Sequence, residues 1–280
     1  MKTVLITGCS SGIGEALCKA YLQHGFRVIA TARNPQSMSD LQGNNLIKLA
    51  LDVNSKESIH EVIKHIEEQG YDLHALINNA GYAAMGPLAD MPAEDLKAQF
   101  DTNVFSLMAL SQAALPLLKS SAKQNGRSQV VNIGSVSGIT PTPFSGAYCA
   151  TKAAVHALSD ALRIELAPFG IDVITVQPGA IESKFGDNSL ANLLTRIRDD
   201  SWYAPLKDAI KARATASQDN PTPAAEFAET LLAQLLSKPA PVIRIGNGSR
   251  ILPMLKRWLP GSMLDSILSK KFRLSELADK

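Results

Sequence analysis

Tyr148 and Lys152 stand four residues apart in a stretch that reads as the start of a helix, which places both side chains on one face. A free phenol has a pKa of ~10 and is a poor acid–base group near neutrality. A neighbouring ammonium favours the phenolate and lowers that value. A tyrosine tuned this way gives or takes the proton of a carbonyl/alcohol pair. Alone, Tyr and Lys at this spacing are common and say little. Ser135, in Asn132-Ile133-Gly134-Ser135, adds weight: it follows an aliphatic run, where its hydroxyl can bond a substrate oxygen as charge develops there. Ser137 competes for that role. Asn103 is a polar residue in an otherwise apolar run; a buried amide needs partners, and the plain alternative is a satisfied core amide.

A second group of residues points to a dinucleotide. The run Val4–Thr7 leads straight into Gly8-Cys9-Ser10-Ser11-Gly12-Ile13-Gly14 and then a helical pattern. In that context Gly8 permits a tight turn, Gly12 lets backbone approach a pyrophosphate, and Gly14 allows close helix–strand packing. The helix N-terminus offers unpaired N–H groups and partial positive charge to the phosphates. The next strand ends Ala30-Thr31-Ala32-Arg33-Asn34, with no carboxylate to bind a ribose 2′-hydroxyl. Arg33 instead suits a 2′-phosphate, which favours NADP(H). Asp52 and Val53, after the third strand, are placed to meet the adenine; Asp52 also suits a helix cap. Asn78-Asn79-Ala80-Gly81 ends the fourth strand, with small residues to admit a cofactor and an Asn to tie strand ends together.

These residues need a scaffold that brings strand ends to one edge. Val4–Thr7, Val28–Thr31, Leu46–Leu51, Ala75–Asn78, Val130–Ile133 and Val173–Val176 read as strands buried on both faces, since they lack polar alternation. Ile13–His24, Lys56–Gln69, Pro92–Leu118 and Tyr148–Ala167 read as helices, with Pro92 in a first turn, Asn54 or Ser55 as a cap, and Gly25 and Gly170 at C-termini. A helix over Pro223–Leu236 and a seventh strand at Val242–Ile245 complete the pattern. The alternation predicts an α/β fold: a doubly wound parallel sheet of about seven strands, a Rossmann fold with helices on both faces. We read one domain over 1–280, with 183–220 as a substrate lid and 246–280 as a C-terminal extension.

Composition is that of a globular protein, 45% hydrophobic and 19% charged, and a net charge of +2 gives no electrostatic case for nucleic acid. Cys9, Cys18 and Cys149 form neither a disulfide framework nor, with His and Asp, a metal-ligand spacing; they read as space-filling residues in a reducing compartment, the cytoplasm. The apolar start M-K-T-V-L-I-T-G is too short for a signal peptide, and no run is long enough to span a bilayer.

Taken jointly, T-G-x-x-x-G-x-G at Thr7–Gly14, N-N-A-G at Asn78–Gly81, Asn103, Ser135, Tyr148, Lys152 and Pro178-Gly179 resemble the single-domain short-chain dehydrogenase/reductase family over about residues 1–185. The resemblance implies Tyr148 as general acid/base, Lys152 lowering its pKa and holding the nicotinamide ribose, and Ser135 polarising the carbonyl. It implies that Asn103 holds a water linking Lys152 to solvent, and that Pro178, Gly179 and Ile181 border the nicotinamide. Ser183 stands where many members place a carboxamide-binding Thr, and Ser106 where Gly is frequent. The A-T-A-R-N segment, N-N-A-G-Y and the C-terminal extension resemble the branch acting on steroids, retinoids and acyl-dihydroxyacetone-phosphate-type lipids. A hydrophobic carbonyl/alcohol substrate follows, acted on at CH–OH by an NADP-dependent enzyme. The helices Pro92–Leu118 and Tyr148–Ala167 resemble those that pair in family oligomers. The tail from Arg250, with its cations among apolar residues, reads as a cap over the cleft or an oligomer surface, with peripheral membrane contact as the second reading. From another class, a cofactor-binding sensor on the same fold is the alternative, since fold alone does not fix function.

Overall fold

Short aliphatic runs with β-branched residues become seven strands: β1 (Lys2–Thr7), β2 (Arg27–Ala32), β3 (Leu46–Ala50), β4 (Asp72–Asn78), β5 (Ser128–Ile133), β6 (Ile171–Pro178) and β7 (Val242–Ile245). The structure, a computed structural model, describes residues 1–194 and 199–277. All neighbouring strands pair in parallel, in the order β3-β2-β1-β4-β5-β6-β7. The order reverses between β1 and β4, which opens a crevice at the carboxyl ends of those two strands.

Alternation along each strand sends side chains to two cores. Val4, Ile6, Ala75, Ile77 and Val131 face α1 (Gly12–Gln23) and α8 (Ala224–Leu236) on one side. Leu5, Ile29, Leu76, Val130 and Val173 face α2 (Lys56–Glu68), α4 (Ser106–Asn125) and α5 (Gly146–Leu166) on the other. Both faces are apolar because both are covered, which is why the strands lack polar alternation.

The long helix expected from Pro92 is three pieces. Pro92 is the N-cap, not a first-turn residue; α3 covers Ala93–Phe100, a π turn covers Asp101–Phe105, and α4 runs on through Pro116 to Asn125. Gly126, at φ +82°, supplies the left-handed residue that ends it. Ser55 caps α2, its hydroxyl accepting from the Ser58 amide at 3.1 Å. Asn54 does not compete, because its amide donates to Thr102 Oγ1 at 2.9 Å.

Beyond β6 the chain forms α6 (Phe185–Leu194) and α7 (Lys207–Thr215); after β7 come α9 (Ile251–Trp258) and α10 (Gly261–Lys271). Pro253 lies in the first turn of α9, where its missing N–H breaks no ladder bond, while Pro260 caps α10 and separates the two helices. Residues from these late segments, Leu206, Ile210 and Phe272, bury against Ala83, Met85 and Phe144 in a third core above the sheet edge.

Candidate active site

A cleft of about 1350 Å³ opens over the carboxyl ends of the strands. Gly8, Ser10, Ser11, Gly12 and Ile13 line one part of it, with Arg33, Asp52 and Val53 beside them. The glycines have distinct reasons. Gly8 and Gly12 adopt φ of +72° and +60°, which disfavours side chains. Gly14 lies behind the loop, where a Cβ would stand 2.2 Å from the Gly8 carbonyl oxygen. The loop is pinned from β4: Thr7 Oγ1 accepts from the Asn79 and Ala80 amides at 3.0 and 2.9 Å, and Asn79 Nδ2 donates to the Thr7 carbonyl at 2.8 Å. Asn78 ties the strands one layer deeper, donating to Asn132 Oδ1 at 2.8 Å, and Asn132 donates to Ser159 Oγ at 2.9 Å.

Arg33 is exposed and makes no ion pair among the described residues. Asp52 accepts from the Asn54 amide at 3.0 Å, a local turn that aims it at the cleft; it is not the α2 cap. On the opposite wall, Pro178, Gly179, Ile181 and Ser183 line the cleft with Ala80 and Gly81. Gly179 has no room for a side chain, since a Cβ would meet the Asn247 carbonyl oxygen at 2.0 Å. Ser183 folds back over Gly12, whose notional Cβ would reach Ser183 Cβ at 2.7 Å. The glycine cradle, the loose Arg33 cation and the small residues of β4 and β6 fit a dinucleotide with an extra phosphate.

Tyr148, Lys152, Ser135 and Ser137 meet at the other part of the cleft. Tyr148 and Lys152 project from the first two turns of α5, and Lys152 Nζ lies 5.7 Å from the Tyr148 ring centre while donating to the Ile133 carbonyl at 2.7 Å. Ser135, rather than Ser137, is the serine whose hydroxyl pulls the Tyr148 phenol down. Its Oγ also accepts from the Ser137 amide at 3.1 Å, and its own amide donates to His156 Nε2 at 3.4 Å. Burial pushes His156 down to about 4, which keeps that ring nitrogen an acceptor.

The charges differ from the simple picture of a lysine-depressed phenol. Burial pushes Tyr148 up to about 12, against the Ser135 hydrogen bond and the Arg213 charge, which pull it down. Burial also brings Lys152 down to about 8. Desolvation thus outweighs the pull of nearby charges at the phenol.

Asn103 sits in the π turn. Its Nδ2 donates to the Tyr82 carbonyl at 2.9 Å and to Thr151 Oγ1 at 3.1 Å, and its Oδ1 accepts from the Tyr82 amide at 3.1 Å. The side chain is therefore fully engaged in joining the β4 loop to α5. A π turn shifts the backbone ladder by one residue, a common device at functional sites. Residue patterns gave Thr7 no role beyond opening the loop motif, and left out Thr151, His156 and Arg213. Thr7 adjoins the glycine loop and was within reach of a strand-end argument; the others depend on tertiary contacts. The three cysteines are buried and unpaired, and Cys9 donates to the Ile6 carbonyl.

A family model for short chain dehydrogenases matches residues 2–193. A short-chain dehydrogenase/reductase of Pestalotiopsis microspora is 36% identical, covering 100% of this chain and 97% of its own. An NADPH-dependent 1-acyldihydroxyacetone phosphate reductase of Schizosaccharomyces pombe is 35% identical over 85% of this chain and 79% of its own. Among solved structures, a short-chain dehydrogenase from Streptomyces avermitilis superimposes with a TM-score of 0.77 at 27% identity, covering 99% of this chain and 97% of that one. The chain belongs to the short-chain dehydrogenase/reductase family, a class of oxidoreductases.

Proposed function

We propose that this protein is an NADP(H)-dependent oxidoreductase interconverting a carbonyl and an alcohol, working as a reductase on hydrophobic ketones or aldehydes of lipid, steroid or retinoid type. The observation that carries the reading is the meeting of Ser135, Tyr148 and Lys152 in a cleft shared with the glycine loop. NADPH, when bound, supplies the hydride. Gly8–Ile13 hold its pyrophosphate, Arg33 its 2′-phosphate, Asp52 and Val53 its adenine. Asn79, Ala80, Gly81, Pro178, Gly179, Ile181 and Ser183 line the rest of its path. Ser135 Oγ donates a hydrogen bond to the substrate carbonyl oxygen. Tyr148 gives its phenolic proton to the same oxygen, and the Lys152 ammonium steadies the phenolate that remains. Asn103 fixes the β4 loop against α5, and it is the residue to which we assign the water that links Lys152 to solvent.

The late segments give the substrate side its character. We read the described residues of 183–220 as a lid and those of 246–280 as a cap on the cleft, residues 195–198 and 278–280 lying outside the described ones: Leu252, Leu268 and Phe272 line the cleft, and Thr140 Oγ1 donates to the Leu252 carbonyl at 2.9 Å. Exposed Ile251, Met254 and Trp258 lie among cations on the outer side, which supports a weak peripheral contact with a bilayer. Among the described residues no helix is long and apolar enough to cross a membrane.

The test is NADPH consumption against neutral aldehydes, ketones and lipid carbonyls, with Tyr148→Phe beside the wild type. Turnover should fall by about a thousandfold or more, the scale of a lost general acid combined with a lost oxygen contact, while NADPH binding stays close to wild type. Retained turnover in Tyr148→Phe refutes the assignment; tight NADPH binding without any turnover in the wild type favours a sensor.

A further inference from the structure

Arg213 is the feature the reaction above does not use. It lies on α7 of the lid segment and reaches the wall of the cleft beside Tyr148, close enough that its charge pulls the phenol down. Its Nε donates to Thr142 Oγ1 at 3.0 Å and its Nη2 to Ser145 Oγ at 2.9 Å. Both partners are neutral hydroxyls, and Arg213 makes no ion pair among the described residues. Desolvating a guanidinium without a counter-charge is costly, and its burial pulls its own pKa down. The two hydroxyls occupy the Nε/Nη2 edge of the guanidinium. The Nη1/Nη2 edge, which grips an oxyanion by two parallel bonds, is left over.

The rest of that part of the cleft matches an acid carried on an apolar body. Met85, Phe185, Leu252, Leu268 and Phe272 supply apolar wall. The carboxylates facing it, Asp208 and Asp219, do not pair with Arg213; Asp208 is exposed and lies 3.9 Å from Lys211. Arg273 at the mouth is already held by Glu276 at 2.7 and 2.8 Å.

Resting on the proposed carbonyl reduction, we infer that the substrate is an acidic amphiphile, and that Arg213 binds its oxyanion, a carboxylate or a phosphate monoester, while Tyr148 and Ser135 address its carbonyl. Binding to Arg213 brings the lid helix, the start of α5 and the substrate into one hydrogen-bonded unit. The cation then has the partner that its burial calls for. Without that role, Arg213 is a latch from α7 to the Thr142–Ser145 turn.

Paired substrates separate the two. Steady-state rates are measured for 3-oxodecanoate against its methyl ester, and for 1-acyl-dihydroxyacetone phosphate against the unphosphorylated acyl-dihydroxyacetone. Binding of decanoate, decyl phosphate and decanol is followed by calorimetry on the wild-type protein, Arg213→Met and Arg213→Lys. In the wild type one acid should exceed its neutral partner by about 10- to 100-fold in kcat/KM, the reach of a charge-assisted pair, and whichever acid wins tells carboxylate from phosphate. Arg213→Met should bring that ratio close to one, chiefly through KM, and Arg213→Lys should restore part of it. Equal use of acid and neutral partner by the wild type overturns the inference. So does a ratio that Arg213→Met leaves intact while both rates fall, which is the behaviour of a latch. Should Arg213→Met not fold, the wild-type ratio and Arg213→Lys decide. Turnover of neutral carbonyls without acid preference rejects the inference and keeps the reductase; Arg213-dependent decanoate or decyl phosphate binding without any turnover does the reverse.

Discussion

Two side chains show how burial sets chemistry at the residue scale. Lys152 loses water on entering the cleft, and its titration falls to about 8, within reach of ordinary assay conditions. For reduction, Tyr148 must be protonated, and with its own value raised to about 12 it remains so throughout. The Lys152 charge that steadies the developing phenolate exists only below about 8. Reductive kcat should therefore hold on the acid side and fall as pH rises through about 8, by up to tenfold per unit above it if the charge is essential. A profile flat to pH 10, taken with saturating NADPH, removes Lys152 from that role. Arg33 makes the second residue-scale prediction. It is exposed and uncommitted, so its loss costs only what a 2′-phosphate gains from it. Arg33→Ala should weaken NADPH by about 1–3 kcal/mol and NADH hardly at all. Equal weakening of both, measured by fluorescence titration, rejects the assignment.

At the scale of elements, the glycine loop and its helix behave as one part. Gly14 in the first turn of α1 rests against the Gly8 backbone carbonyl, and the one side chain beside it, Asn79, is held by the Thr7 and Gly8 carbonyls. Gly14→Ala should push α1 off β1, costing about 2 kcal/mol or more in denaturant unfolding and weakening dinucleotide binding with it. Gly25, past the other end of α1, has open space around it and only a positive φ to satisfy. Gly25→Ala should cost about 1 kcal/mol and leave binding alone, so equal effects of the two would dissolve the argument. This element was legible in the sequence, because a glycine-rich loop after a β-branched run is a local pattern with a local cause. The π turn at Asp101–Phe105 was not: residues 101–105 are weak helix formers with no Gly or Pro, which marks no particular turn type, and the Asn103 bonds that hold it to Tyr82 and Thr151 are tertiary contacts. Arg213 escaped for the same reason. Its partners lie about seventy positions earlier, and only the docking of α7 brings them together.

Over the whole molecule, the sheet order could be argued in advance because parallel strands with helical crossovers leave few topologies, and every dinucleotide motif fell at strand ends. How the faces are used beyond one chain could be argued only by analogy. Two exposed apolar side chains on the helices concerned allow the analogy to be tested. Phe105, where the π turn meets α4, is 60% exposed, and Ile164 in the last turn of α5 is 68% exposed. Val104, Leu107 and Val155 form a small core that joins the π turn and α4 to α5. Burying each exposed side chain is worth about 1.5–3 kcal/mol, so a second copy covering these helices gains several such terms from one contact. The contact would also brace the helix that carries Tyr148 and Lys152, tying assembly to the geometry of catalysis. Phe105→Asp with Ile164→Asp should shift the sedimentation coefficient at micromolar protein from oligomer to monomer. Turnover should fall with it and recover partly as protein concentration rises. A wild-type protein that sediments as a monomer at tens of micromolar, with full activity, ends this view and leaves the two exposed residues as surface.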